Sequence, residues 1–418
     1  MKVFKFGGAS INSVKAIKNV ASILVKEGAE NCLVVISAMG KMTNAFEKII
    51  DAYITNNKEK LFEFIDFTTD YHIQIIKNLF SENHEIHQKV TLLYGQLIHF
   101  LTQNNSHEYD FLYDQIVCYG ELLSSTIVSD YLNEVGVNNT WEDARKLIIT
   151  DTTYRDASVN WEATEKRIKT KVDTSKITLV QGFIAGDLNG NTTTLGREGS
   201  DFTAGIFAYC LDAESLTIWK DVLGVLNADP REFKDTKLLE RISYEETIEM
   251  AFYGASVIHP KTIKPIQNKK IPLVVRSFNN LNSQGTKVTN EVDMHPHIPC
   301  YIVKKNQVLV SIASLDFSFI VEENISDIFK LFHKYQLKVN LIQNSAISFS
   351  VCVDNNLNHF DSFFNEIKNR YKVSFTKNVD LFTVRHFTEN SLSEIYNLGT
   401  SLLSQINKNT AQIIIQKE

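Results

Sequence analysis

The first residues that could do chemistry form a short turn near the start of the chain, Lys5-Phe6-Gly7-Gly8-Ala9-Ser10. The turn joins a predicted strand, Val3 to Phe6, to a predicted helix, Ser10 to Glu27. Glycines free backbone N–H groups in such a turn, and the positive end of the helix dipole points to the same place. We therefore expect an anion to bind here, although a tight turn beside a solvated lysine would give the same pattern.

A second polar loop has the sequence Thr192-Thr193-Thr194-Leu195-Gly196-Arg197-Glu198-Gly199-Ser200-Asp201. It again lies between a predicted strand and a predicted helix, Asp201 to Leu211. Asp201 could simply cap that helix. Capping needs one residue, however, whereas this loop combines threonines, glycines, an arginine and a serine, a set suited to charged oxygens. The sequence thus predicts a second anion-binding loop.

A third polar cluster follows a predicted strand. It consists of Trp219-Lys220-Asp221 and, shortly after, Asn227-Ala228-Asp229-Pro230-Arg231. Ligands of parallel α/β sheets lie beyond the carboxyl ends of the strands, which makes these two carboxylates and two cations candidates for a binding loop. An ordinary surface turn is the alternative.

The elements that must position these loops are buried strands alternating with helices. Cys32 to Ser37, Ile177 to Val180 and Leu273 to Val275 are almost entirely apolar, as strands covered on both faces would be. Further helices are predicted at Gly120 to Glu134, Trp161 to Val172 and Tyr244 to Tyr253. The long segment Asn44 to His107 is predicted to be a helical insertion that forms the outer wall of a cleft. This pattern indicates an α/β sandwich.

The pattern breaks around Met294 to Pro299, where we predict a domain boundary. Beyond it we predict a β-α-β-β-α-β unit, with elements at Val308 to Ala313, Ile325 to Tyr335, Val339 to Ile342, Ile347 to Val353, Phe360 to Tyr371 and Val373 to Thr376. The remainder is predicted as β-α-β, with elements at Leu381 to Arg385, Leu392 to Gln405 and Ala411 to Ile415.

Composition limits the function classes. A length of 418 residues predicts more than one domain. A net charge of -6 argues against a general nucleic-acid surface. The scattered cysteines indicate neither a metal site nor a disulfide framework, and we find no apolar stretch typical of a signal peptide or membrane span. We expect a cytoplasmic protein.

Seven motifs in order, KFGGAS, SAMGKMTN, GELLSS, QGFIAGD, TTTLGREGSD, IWKDVLGVLNADPR and YGASVIHPKTI, resemble the aspartokinase branch of the amino-acid kinase family. The resemblance covers Met1 to about Thr286, and the sequence after Pro299 is similar to ACT domains. It implies an α/β fold, a three-layer αβα sandwich for residues 1–292, followed by an α+β regulatory and dimerisation region at 293–418. That region would hold one full ACT-like unit at about 305–378 and a partial one at about 379–418. Because no homoserine dehydrogenase-like domain follows, it implies a monofunctional enzyme.

The resemblance also implies the reaction. The γ-phosphoryl group of Mg-ATP would pass to the β-carboxylate of L-aspartate, giving 4-phospho-L-aspartate, the first step of lysine, threonine and methionine biosynthesis. ATP and Mg²⁺ would be the cofactors, with no metal held by the protein itself. The partners would be the two substrates, further copies of the chain in a homodimer or higher homo-oligomer through the ACT-like region, and an amino-acid effector. Neither nucleic acid nor a membrane is expected.

Residue by residue, the resemblance implies four groups of site residues. Catalysis would fall to Lys5 and Asp201. The transferring phosphoryl group would meet Lys5, Gly7, Gly8 and Ser10. The acceptor would be bound by Ser37, Thr43, Glu121, Arg197 and Asp201, with Arg197 on the α-carboxylate and the two acids facing the ammonium. The ATP pocket would be bounded by Lys220, Asp221, Asp229 and Arg231.

The sequence departs from the family pattern at several positions. Ala9 and Lys220 replace threonines, Leu226 replaces a tyrosine, and Ser256 replaces a lysine. We hypothesise that Lys220 supplies the positive charge that Ser256 does not. In the ACT-like region, Asn340 and Ala346 occupy positions where lysine-sensing members carry acids, so threonine, or no effector, is as plausible as lysine.

Two alternatives remain from the sequence. The chain could be another amino-acid kinase that acts on glutamate or acetylglutamate, although the ACT-like tail and the GELLSS motif argue against it. It could instead be a regulatory protein that binds ATP or an amino acid and has impaired turnover, as the altered nucleotide loop suggests.

Overall fold

The computed structural model describes residues 1–28, 30–255, 257–290, 292–316 and 318–417. Over these residues the chain divides into two compact units. The first comprises the described residues of Met1–Val225, Leu238–Ile248 and Val257–Met294, and the second those of Leu226–Lys237, Glu249–Ser256 and His295–Glu418. Ser256, one of the departures noted above, lies outside the described residues. The domain limits and the roles of the two units stay a prediction.

The first unit is built on a mainly parallel sheet. Its strands, together with the short hairpin β5–β6, are β1 (Lys2–Phe6), β2 (Cys32–Ile36), β3 (Asn139–Glu142), β4 (Ile177–Gln181), β5 (Ile184–Gly186), β6 (Thr192–Thr194), β7 (Ser215–Lys220), β8 (Arg241–Ser243), β9 (Leu273–Ser277) and β10 (Thr286–Thr289). Within the described ranges the sheet has eight strands in the order β3-β4-β2-β1-β7-β9-β10-β8. β10 pairs antiparallel with β9, and the other neighbours are parallel. The predicted α/β fold is confirmed.

Helices alternate with these strands along the chain. They are α1 (Val14–Lys26), α2 (Met42–Ile54), α3 (Lys58–Leu79), α4 (Ile86–Gln103), α5 (Tyr109–Glu134), α6 (Ala144–Leu147), α7 (Trp161–Lys171), α8 (Gly199–Cys210), α9 (Tyr244–Tyr253) and α10 (Pro260–Asn268). The residues of α9 from Glu249 on belong to the second unit. The predicted helical insertion is confirmed as α2, α3 and α4. Over the described residues, no helix is both long and apolar enough to cross a bilayer.

The helix predicted from Ser10 to Glu27 is divided in two. A short 3-10 helix, Gly8–Ile11, comes first, and α1 begins after Ser13. The Ser13 hydroxyl accepts a hydrogen bond from Ala16 N at 3.3 Å. Serine favours such caps over helix interiors, so its side chain starts a new helix here.

The second unit contains an antiparallel sheet with helices. Its elements are β11 (Cys300–Ala313), α11 (Glu322–Lys334), β12 (Val339–Asn344), β13 (Ser348–Asp354), α12 (Leu357–Ile367), β14 (Lys372–Arg385), α13 (Glu389–Tyr396), β15 (Thr400–Ile406) and β16 (Thr410–Gln416). Over the described residues of this unit, the sheet order is β12-β13-β11-β14-β16-β15. The predicted β-α-β-β-α-β succession is confirmed from β11 to β14.

The partial second repeat differs from the prediction in two respects. The strands predicted at Val373 to Thr376 and Leu381 to Arg385 are one continuous strand, β14, which pairs with β11 along both halves. The helix predicted from Leu392 to Gln405 is wrong, because α13 ends at Tyr396 and β15 follows. A side chain at Gly399 would meet Gln416 O at 2.4 Å, so glycine allows the close approach that pairs β15 with β16.

Candidate active site

A buried ion pair lies where β1 meets the first turn of α8. Lys5 Nζ is 2.6 Å from Asp201 Oδ1, with side-chain exposures of 9% and 0%. Lys220, at the end of the neighbouring strand β7, places its Nζ 3.4 Å from Asp201 Oδ2. Burial opposes the charge of Asp201, but the ammonium groups of Lys5 and Lys220 outweigh it and hold the pKa of Asp201 below its usual value. Asp201 therefore stays ionised at neutral pH.

Asp201 does not cap its own helix. Glu198 occupies the N-cap position of α8 and Asp201 lies within the first turn, so the capping alternative is wrong. The Asp201 side chain is instead directed to the two lysines.

The glycine turn after β1 packs against the turn after β2. A Cβ on Gly8 would lie 2.7 Å from Gly40 O and 2.8 Å from Ala38 O, so a side chain does not fit there. Gly40 N also donates a hydrogen bond to Gly8 O at 3.0 Å. The Ser10 hydroxyl is buried and donates to Trp219 O at 3.4 Å, which links this turn to β7.

One cleft of about 590 Å³ contains most of the predicted site. The predicted residues that line it are Lys5, Gly8, Ser37, Thr43, Glu121, Arg197 and Asp201. Several other lining residues were not predicted as site residues, namely Asn44, Tyr113, Arg155 and Phe183. Ser200, which also lines the cleft, belongs to the second polar loop. Of the helical insertion, only the first turn of α2 lines the cleft among the described residues, so the expected outer wall is smaller than predicted.

Glu121 is fully buried in α5 beside this cleft. Its Oε1 accepts a hydrogen bond from Ala38 N at 3.3 Å, while Oε2 has no hydrogen-bond partner within the described part of the chain. Burial raises the pKa of Glu121 to about 8. A buried acid with one unpartnered oxygen can accept a cationic group from a ligand.

Arg197 supplies positive charge to the same cleft. It lies on the exposed loop between β6 and α8 and has no ion-pair partner among the residues that the structure describes. Gly196 before it has φ 74°, and a Cβ there would lie 2.4 Å from Asp156 Oδ1. Glycine thus allows the tight turn that presents Arg197.

The remaining predicted residues are distributed over both units. Gly7, Ser10, Lys220 and Asp221 belong to the first unit but do not line the cleft. Asp229 and Arg231 belong to the second unit, where Arg231 Nη2 lies 2.6 Å from Asp229 Oδ2. The roles predicted for these residues toward a nucleotide stay predictions.

Comparison with known proteins identifies the family. A family model described as the amino acid kinase family matches residues 1–277. The chain is 30% identical over 376 residues to the bifunctional aspartokinase/homoserine dehydrogenase 1, chloroplastic, of Arabidopsis thaliana, covering 84% of this chain but 40% of that protein. It is 29% identical over 356 residues to the lysine-sensitive aspartokinase 3 of Escherichia coli strain K12, covering 84% of this chain and 78% of that protein.

A solved structure extends the similarity to the whole fold. Escherichia coli aspartokinase III in complex with lysine and aspartate matches with a TM-score of 0.84 at 25% identity, covering 99% of this chain and 96% of that chain. The chain spans less than half the length of the bifunctional relatives that it matches. Because the family model covers more than half of the sequence and the fold agrees, the chain belongs to the amino acid kinase family.

Proposed function

We propose that the chain is an aspartate kinase, which transfers the γ-phosphoryl group of Mg-ATP to the β-carboxylate of L-aspartate. The products are 4-phospho-L-aspartate and ADP. The proposal depends chiefly on one observation: a single cleft is lined by the Lys5–Asp201 pair, by the buried acid Glu121 and by the cation Arg197. The names of the relatives, which are aspartokinases, support it.

The acceptor end of the cleft suits a zwitterionic amino acid. Arg197 binds the α-carboxylate, because a guanidinium can donate two parallel hydrogen bonds to a carboxylate. Glu121 accepts the ammonium, which supplies the missing partner for its buried Oε2. Ser37 and Thr43 lie between acceptor and donor. An acceptor that lacks either charged group leaves one of these side chains without its partner.

The donor end neutralises negative charge. The β-carboxylate of aspartate is ionised at neutral pH, since its usual pKa is about 4, so the nucleophile needs no general base. The obstacle is repulsion between this carboxylate and the triphosphate. Lys5, with the backbone of Gly7 and Gly8, offsets that repulsion and stabilises the charge spread over the transferring group. Ser10 supports this turn, since its hydroxyl is bonded to Trp219 O.

The nucleotide brings its own metal. In this proposal Mg²⁺ enters as part of the substrate Mg-ATP. Lys220, Asp221, Asp229 and Arg231 bind the nucleotide.

The second unit has a regulatory role in this proposal. We assign residues 1–292 to catalysis and residues 293–418, with the β-α-β-β-α-β succession from β11 to β14, to effector binding and homodimerisation. We also propose that the enzyme works in the cytoplasm. Light scattering on the full chain, with and without amino acids, measures the oligomeric state directly.

The test is a turnover assay in which hydroxylamine traps the acyl phosphate. ATP is supplied with aspartate, glutamate, acetylglutamate or no acceptor. We expect trapped product with aspartate only. If aspartate or ATP binds by calorimetry but no trapped product forms, the chain is a regulatory binding protein and the proposal is wrong. If glutamate or acetylglutamate is preferred, the fold assignment stands but the acceptor is wrong.

A further inference from the structure

Arg155 lines the cleft in a backbone conformation that arginine rarely adopts. Its φ is 67°, in the left-handed region that favours glycine. Two other non-glycine residues that line the cleft, Phe183 and Glu198, share a positive φ, at 69° and 54°. Unfavourable backbone conformations persist where the surroundings enforce them, and they concentrate at functional sites.

A buried carboxylate enforces the conformation of Arg155. Asp114, fully buried in α5, accepts hydrogen bonds from Arg155 N at 3.0 and 3.2 Å. It also accepts from Thr194 N at 2.8 Å and from the Thr194 hydroxyl at 2.7 Å. These contacts use only the backbone of Arg155. The fold therefore needs this backbone position but does not need an arginine side chain there.

The Arg155 side chain is weakly held and chemically available. Its guanidinium carbon lies 4.7 Å from the ring centre of Tyr113 and 5.4 Å from that of Tyr109. Nη1 lies 3.2 Å from Asp110 Oδ1, in a pair whose members are 48% and 61% exposed. Exposed pairs of this kind stabilise proteins little, so a ligand carboxylate can compete for the guanidinium.

The backbone of Arg155 also contacts the loop that carries Arg197. Arg155 O lies 3.2 Å from the position that a Cβ on Gly196 would occupy, directly before Arg197. Ala157 N donates to Thr194 O at 2.9 Å, which fixes the two loops together. Two cationic side chains thus come from adjoining loops into one cleft.

We propose that Arg155 is a specificity-determining residue that binds the α-carboxylate of the acceptor together with Arg197. The reacting carboxylate must meet the phosphoryl group near Lys5, which leaves the other carboxylate for the arginines. This inference rests on the proposed aspartate kinase function. It predicts that the chain favours acceptors with a free α-carboxylate, because two arginines rather than one bind that group.

Two variants of Arg155 test the inference. Arg155→Gly removes the charge and relaxes the backbone, and Arg155→Gln removes the charge while the φ requirement stays. We expect both to raise the KM for aspartate about tenfold, with the KM for ATP unchanged, because a charge-assisted contact is lost. Arg155→Gly should melt at or above the wild-type temperature, which separates this effect from misfolding.

The control variant is Arg167→Gln, which removes one positive charge from α7 of the same unit but not from the cleft. It should leave the KM for aspartate unchanged. Aspartate α-amide, used as a competitive inhibitor, should bind wild type and both Arg155 variants equally, because it lacks the α-carboxylate. An unchanged KM in both variants, or an equal loss for the α-amide, overturns the inference.

The two proposals fail in different ways. If the wild type gives no aspartate-dependent product, the kinase proposal fails, and aspartate affinity measured by calorimetry then decides the role of Arg155. A roughly tenfold weaker affinity in both variants supports that role, and an equal affinity overturns it.

Discussion

Lys5 Nζ lies 2.6 Å from Asp201 Oδ1, and Lys220 Nζ approaches the other oxygen of the same carboxylate at 3.4 Å. Two cations therefore share one anion. The carboxylate fixes both ammonium groups, and the three side chains together retain one positive charge. A cleft prepared in this way suits an incoming phosphoryl group, because its charge is already oriented before the substrate arrives.

Replacing Lys5 tests this arrangement. Lys5→Met should lower kcat by about 10³-fold, since a preorganised cation at a transferring phosphoryl group is lost. Aspartate affinity should change by less than about threefold, because Lys220 still pairs with Asp201, and Arg197 and Glu121 do not pair with Lys5. Steady-state ADP release gives kcat, and calorimetry gives the aspartate affinity.

The matched control for Lys5 is Lys18→Met, which removes an exposed lysine from α1. It should leave both quantities unchanged. Breaking a buried pair commonly costs about 3–5 kcal/mol of folding free energy. We expect less for Lys5→Met in urea unfolding, because Lys220 still pairs with Asp201. A kcat close to that of the wild type would rule out the catalytic role of Lys5.

The raised pKa of Glu121 predicts how aspartate binding depends on pH. Its pKa of about 8 in the free protein means that the carboxyl is mainly protonated at pH 7. An incoming ammonium group requires the ionised form, so binding must release this proton. Aspartate affinity should therefore rise between pH 6 and about pH 8 and level off above it. Calorimetry in buffers of different ionisation enthalpy counts the released proton.

The variant Glu121→Gln has no proton to release, so its weaker aspartate affinity should be flat over the same pH range. Stability supplies a second check. The unfolded chain loses the Glu121 proton near pH 4.5, whereas the folded protein keeps it to about pH 8. The contribution of this group is thus greatest below pH 4.5 and falls as the pH rises toward 8. If the wild type and Glu121→Gln show the same pH dependence, Glu121 does not titrate in this window.

Replacing Lys220 tests whether this residue contacts the nucleotide or only pairs with Asp201. Its Nζ donates to Val257 O at 2.5 Å besides pairing with Asp201. If it also meets the nucleotide, Lys220→Thr should raise the KM for ATP about tenfold and leave the KM for aspartate unchanged. Steady-state kinetics with each substrate varied in turn measures both constants. A lower melting temperature with an unchanged KM for ATP would mean that Lys220 only supports Asp201.

The sequence predicts the sheet of the first unit well for a physical reason. β2 and β4 are buried along every residue, so β2 appears as an unbroken apolar run and β4 as a mainly apolar one. The strand β15 could not be predicted in the same way. Leu402 and Leu403 are adjacent and fit a helix as well as a strand, and only the pairing with β16 decides between them.

Site residues could be predicted from the sequence only where they belong to a local motif. Glycine turns and charged loops identified Lys5, Arg197 and Asp201, because the residues that shape each loop are neighbours in sequence. The position of Arg155 depends on Asp114. Asp114 also bonds to Thr194, which lies 80 positions after Asp114 in the sequence. An arginine with a positive φ has no sequence signature, since nothing next to it signals the buried carboxylate that enforces it.

The surroundings of Asn340 in the second unit predict how turnover responds to lysine. Asn340, which the family resemblance predicts to stand where lysine-sensing members carry an acid, has both ends of its side chain engaged. Its Oδ1 accepts from Lys304 Nζ at 2.7 Å, and its Nδ2 donates to Gln307 at 2.8 Å and to Asp354 at 2.6 Å. An effector ammonium would meet the Lys304 ammonium here, and the nearby carboxylate of Asp354 is already bonded to Asn340 Nδ2. Millimolar lysine should therefore change the turnover of aspartate by less than about twofold.

The measurement is turnover at an aspartate concentration near KM, with lysine or threonine added at equal concentration. Threonine serves as the parallel arm, since it carries no side-chain ammonium and escapes this repulsion. The variant Lys304→Met removes the resident cation while Asn340 keeps its bonds to Gln307 and Asp354. It should stay insensitive to lysine, because position 340 still carries an amide and the Asp354 carboxylate stays bonded to it. Strong inhibition of the wild type by lysine would show that the effector ammonium is bound elsewhere in the protein.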